Sequence, residues 1–97
     1  MDQIPKTSEG GLALIEVFYA PQYIDCYTFV FDEVDSHTHL YTMLGTSMLG
    51  ESFSQWTAGS YDPQGENRHL GKHVPFQELA KPLIKHVLSR MHEGNEE

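Results

Sequence analysis

Apolar and hydroxyl-bearing residues run through residues 23–61 in short bursts broken by Asp, Ser, His and Gly, a pattern that predicts consecutive strands. Within residues 24–34, Tyr27, Phe29 and Phe31 fall on one side and Cys26, Thr28 and Val30 on the other; the aromatic side is the expected core face. Residues 32–38 (Asp-Glu-Val-Asp-Ser-His-Thr) carry side chains that bond their own backbone, which predicts a hairpin connection of several residues and an antiparallel return. That return, residues 39–49, sets Leu40, Thr42, Leu44, Thr46 and Met48 against Tyr41, Met43, Gly45, Ser47 and Leu49. Neither set is plainly polar, so the strand is expected to be covered on both faces or to lie at a subunit contact. Gly50 and Glu51 then turn the chain into residues 52–61, where Phe53 and Trp56 fall on opposite faces. Gly45 and Gly59 mark the expected bulges or close backbone approaches.

The flanks follow other patterns. Residues 1–11 are polar, include Pro5 and the Gly10-Gly11 pair, and read as a flexible arm. Residues 12–19 have the β-branched and aromatic content of a strand, with a short helix as the alternative. Residues 62–72 are a run of turn formers, the longest expected loop, tethered by Leu70. Beyond it, Phe76, Leu79, Ala80, Leu83, Ile84, Val87, Leu88 and Met91 recur at steps of three and four, which places them on one half of a helix. Pro82 would break a continuous helix, so the pattern predicts one turn over residues 76–80 and a main helix with Pro82 in its first turn, ending near His92. Lys85, His86, Arg90 and His92 suit the negative pole of that helix, and residues 93–97 read as a flexible tail. The elements add up to a single α+β domain over residues 1–97: a three- or four-stranded antiparallel meander with one C-terminal helix packed on one face. Phe76, Leu79, Leu83, Val87 and Met91 are the expected docking residues.

Composition narrows the picture. All aromatic residues but Phe76 lie between Phe18 and Tyr61, a density that argues against disorder. The single cysteine, Cys26, excludes an intrachain disulfide, and the first thirty residues show no secretory signal, so a cytoplasmic setting is expected. No apolar run approaches the roughly 18 to 20 residues of a helical membrane span. The formal charge of −8 is uneven: no Lys or Arg occurs from Thr7 to Asn67, a stretch that holds Glu9, Glu16, Asp25, Asp32, Glu33, Asp35, Glu51, Asp62 and Glu66. A phosphate backbone would be repelled over that extent, so no nucleic acid is expected as a partner.

The chemistry-bearing groups are sparse. His37 and His39, two apart on a strand or its edge, could share a metal ion, and His69 with His73 could complete a tetrahedral site. The bland alternative, exposed loop histidines, is the reading adopted, and no cofactor is expected. Cys26 lacks a local base and reads as a small buried residue. Asp32, Glu33 and Asp35 lack the Gly and distal Glu of an EF-hand loop and read as a solvated hairpin tip that could meet a basic partner. Residues 69–73 are too poor in glycine for a phosphate loop. Tyr41 and Trp56 are interface-type anchors.

These features predict a non-enzymatic binding or accessory protein acting through an acidic, aromatic-bearing sheet surface formed by Tyr41, Trp56, Asp32, Glu33 and Asp35. A homodimer and a protein partner with a basic surface are expected. The alternatives are an acidic inhibitor that mimics nucleic-acid phosphate, and a small metal-binding module or enzyme using His37, His39, His69 and His73.

Overall fold

Alternating side chains over residues 14–59 can satisfy their backbone only by pairing, and in the computed structural model they do so as one antiparallel sheet. The structure describes residues 12–48 and 53–94. Its strands are β1 (Leu14–Tyr19), β2 (Tyr27–Val34), β3 (Tyr41–Thr46), β4 (Ser54–Gly59) and β5 (Lys72–His73), followed by helix α1 (Lys81–Gly94). The order across the sheet is β4-β3-β2-β1-β5. The first four strands are the expected α+β meander, and residues 12–19 contribute a strand. The fifth strand is an addition, because residues 72–73 carry no strand pattern of their own. They pair antiparallel with β1, Phe18 opposite His73 and Tyr19 opposite Lys72. No helix among the described residues is long and apolar enough to cross a membrane.

The helix-side core is built from Leu14, Val17, Phe29, Phe31 and Leu44 of the sheet with Leu79, Leu83, Val87 and Met91, and Phe76 packs at its margin. These are the aromatic face of β2 and the helix positions that the periodicity picks out. A 3₁₀ turn covers Phe76–Glu78, and α1 starts at Lys81, so Pro82 lies in the first turn, where its missing N–H removes no helical bond. The Ile84 amide makes an early bond of the helix, to the Ala80 carbonyl at 3.0 Å.

The opposite face has its own core of Phe18, Val30 and Met43, with Ile15, Tyr41, Tyr61 and Leu70 packed against it. Both faces of β3 are therefore apolar because both are covered: one by α1, the other by the chain's own segment 61–71. Leu70 is the tether of that segment. Its backbone is drawn together by Asn67, whose Oδ1 accepts from the Asp62 amide at 2.7 Å and whose Nδ2 donates to the Asp62 carbonyl at 3.0 Å.

Irregularities sit elsewhere than at the glycines. One is in β1, where Leu14 faces Phe31 and Glu16 faces Val30, so that Ile15 is an inserted residue. The bulge breaks the alternation, and Leu14 and Val17, three apart, share the helix side. The other is in β2, where Val30 pairs with Met43 and Val34 with Tyr41. The β3–β4 register runs without a break through Gly45 and Gly59. These two glycines serve close approach: a Cβ at Gly45 would stand 3.2 Å from the Asp25 side chain, and one at Gly59 would stand 3.0 Å from Met43 Sδ. The expected flexible arm at 1–11 and the turn at Gly50-Glu51 lie outside the described residues, as do residues 95–97 of the expected tail.

Candidate functional site

The irregularity in β2 sets residues 31–33 against Thr42 alone, and it brings Glu33 to β3: Thr42 Oγ1 donates to Glu33 Oε1 at 2.7 Å. Thr42 stands opposite Ala58, and Leu44 opposite Trp56, so this side of β4 carries Trp56 and Ala58 beside Thr42. Together with Leu12 and Thr57 these residues line an open groove of about 540 Å³ on the helix side of the sheet. Its aromatic wall is fixed from behind. The Trp56 indole packs on Phe31 with ring centres 5.4 Å apart, and the Arg90 guanidinium of α1 lies 5.6 Å from the indole centre. Farther along β4, His86 Nε2 and Ser54 Oγ are hydrogen-bond partners at 2.8 Å. The groove therefore combines a carboxylate, an indole and a small apolar floor, a combination that suits a cationic side chain on an apolar stem.

A second polar cluster lies on the other face. Glu16, turned to this face by the β1 bulge, accepts a hydrogen bond from the Tyr61 hydroxyl, and its other oxygen is 3.7 Å from His73 Nε2. Burial, reinforced by the neighbouring Glu16 carboxylate, pushes the Tyr61 hydroxyl well above the usual tyrosine range, so it is a proton donor at neutral pH. Tyr61 meets Phe18 and Tyr41 edge-on, with ring centres 6.2 and 5.1 Å away. A cleft of about 290 Å³ lined by Glu16, Phe18, Glu66, Asn67, Arg68 and His73 opens beside it. The cluster clamps segment 61–71 to the sheet.

Of the residues expected to form one surface, Glu33 and Trp56 come together in the groove. Tyr41 lies on the opposite face against Tyr61, so it cannot share a contact surface with Trp56. Asp32 is exposed on β2, where its amide donates to the Ala13 carbonyl at 2.8 Å. Asp35 organises the hairpin tip: its Oδ1 accepts from the amides of His37 at 2.7 Å and Thr38 at 2.9 Å, and these bonds hold its carboxyl below the usual aspartate range.

The histidines are dispersed. His37 and His39 are in the tip and not on a strand, and His39 has φ 61°, so the alternation that would aim them the same way does not apply. His69 Nε2 donates to the Ser60 carbonyl at 2.8 Å, whereas His73 sits by Glu16. Among the described residues no three His, Cys, Asp or Glu side chains gather as a metal-holding group. Cys26 is buried, and burial is the main cause that raises its thiol above the usual range, which disfavours the thiolate.

Pattern reading missed Glu16, Thr42 and Ala58. Glu16 had a visible signal, the one charge in the apolar run of residues 12–19. Thr42 and Ala58 had none, since their partnership with Glu33 and Trp56 depends on strand register.

Fold and groove together define a small α+β sheet-and-helix protein with a carboxylate and an indole at one sheet margin. Comparison with protein-family models, with curated proteins and with solved structures finds no match in any of the three.

Proposed function

We propose that the chain is a non-enzymatic binding protein that takes up a basic segment of a protein partner in the groove between Glu33 and Trp56. The observation that carries this reading is the convergence of those two side chains on one open surface, with Thr42 holding the carboxylate in place. A Lys or Arg of the partner would lay its apolar stem along the indole and Ala58 and bring its charge to Glu33, gaining cation–π attraction and an ion pair at once. The absence of Lys and Arg from Thr7 to Asn67 supports it, because the uncompensated carboxylates Asp32 and Asp35 on the same hairpin would steer a basic partner toward the groove.

The test is a titration of isotope-labelled protein with an uncharged-flanked Lys/Arg peptide and with its Glu counterpart. Shifts should centre on Glu33, Thr42, Trp56 and Ala58 with the basic peptide only. Glu33→Gln should weaken binding by about 3- to 30-fold, the span of one partly desolvated charge contact. Equal response to the acidic peptide, or shifts confined to the Glu16 face, would refute the reading. Competition by double-stranded DNA for a basic partner would favour the phosphate-mimic alternative, for which the same carboxylates are the relevant feature.

A further inference from the structure

We infer that the outer edge of β4 pairs with the β4 edge of a second copy of this chain, joining two sheets about a two-fold axis. The two edges of the sheet differ. The β5 edge is two residues long and consists of Lys72 and His73, the short, charged form that discourages pairing. The β4 edge is six residues, Ser-Gln-Trp-Thr-Ala-Gly, with no charge, no proline and an unbroken register with β3. No described strand occupies its outer side. It lacks the usual devices that blunt an edge.

Charge selects the occupant. In a chain of formal charge −8, two copies repel over most of their surface. The β4 strand itself carries no carboxylate and meets His86 and Arg90 of α1, while Glu33 of the groove belongs to β2, two strands in from this edge and about 10 Å away at ordinary strand spacing. This is where a second acidic copy can approach at least electrostatic cost.

Strand geometry then limits the register. Residues opposite each other in an antiparallel pair share a face, so two-fold pairing must set one residue against its own copy, and the two central residues, Trp56 and Thr57, give the longest overlap of the six-residue strands. Thr57 is exposed, and a Thr–Thr cross-strand pair is favourable, whereas two indoles already packed under Arg90 would crowd each other. With Thr57 on the axis, Trp56 faces Ala58 of the second copy, large against small, and Gln55 faces Gly59 of the second copy. The two grooves then abut on the helix side. The inference concerns the edge alone and does not need the groove's proposed ligand.

Sedimentation equilibrium of the full chain at tens of micromolar should give the dimer mass. Thr57→Lys, which sets two ammonium groups against each other on the axis, should return the monomer mass with an unchanged far-ultraviolet circular dichroism spectrum. Thr57→Cys in a Cys26→Ser background should be converted to covalent dimer by a short bis-maleimide, and Thr28→Cys, on a central strand, should not. A monomeric wild type, or a dimer that survives Thr57→Lys and resists cross-linking at position 57, overturns the inference.

Discussion

Single side chains in this protein make sharply local contributions, and two of them give clean tests. Thr46 is fully buried on β3, and its hydroxyl has no hydrogen-bond partner among the described residues. Burying an unpaired hydroxyl costs free energy that a methyl group of the same shape does not incur. Thr46→Val is therefore expected to stabilise the fold by about 1 kcal/mol, read from urea unfolding at unchanged denaturant slope. Asp35 acts through its charge. Its folded carboxyl titrates below the unfolded value because two amides bond the ionised form, so its contribution is present above about pH 4 and is lost as pH falls through the folded value. Asp35→Ala should lower the melting temperature at pH 7, and the gap from wild type should close progressively as the pH drops below 4. A gap that is constant with pH would mean that the tip is held by something other than those two bonds.

At the level of elements, two coverings hold the sheet, and each has a residue on which it turns. Leu83 is buried in the helix-side core among sheet and helix residues. Leu83→Ala is expected to cost about 2 to 4 kcal/mol, the range of buried large-to-small changes, measured by chemical or thermal unfolding. The second covering, segment 61–71, ends at Gly71, which has φ 113°. A Cβ there would lie 2.4 Å from the Tyr19 carbonyl oxygen, so both conformation and space require glycine. Gly71→Ala should destabilise by more than about 1 kcal/mol and should raise amide exchange at Leu70 and His73 before it does so in β2. Uniform exchange across the sheet would show that the covering and the sheet open as one unit.

The whole molecule is a net-negative body in which five of the six Lys and Arg residues lie from Arg68 to Arg90, after a cation-free stretch from Thr7 to Asn67. Self-repulsion of this kind opposes compaction, and salt screens it over about 10 Å at 0.1 M. Raising the salt from 10 to about 300 mM should increase the melting temperature while weakening capture of a basic peptide, two effects of opposite sign from one charge distribution. Parallel melts and titrations at both salt levels check this. If the peptide affinity is insensitive to salt, the contact is made by the indole without Glu33.

The sequence by itself determined the α+β class, the aromatic face of β2 and the helix residues that dock on it. Those features depend on periods of two and 3.6 that are written locally, and burial of Phe29, Phe31, Leu83 and Val87 follows from them. It also determined the self-bonding hairpin tip, since Asp35 finds its partners within three residues. What only the tertiary structure decided is everything set by register and by long-range cover. The fifth strand exists because β1 offered an open edge, not because Lys72 and His73 favour extension. Glu33 reaches Thr42 and Trp56 through a local irregularity in pairing, and Glu16 reaches Tyr61 and His73 through an inserted residue in β1. Tyr41 and Trp56, alike as anchor types, were separated to opposite faces by alternation across paired strands. One displaced residue reverses a side chain's face, and no local pattern records where that displacement falls.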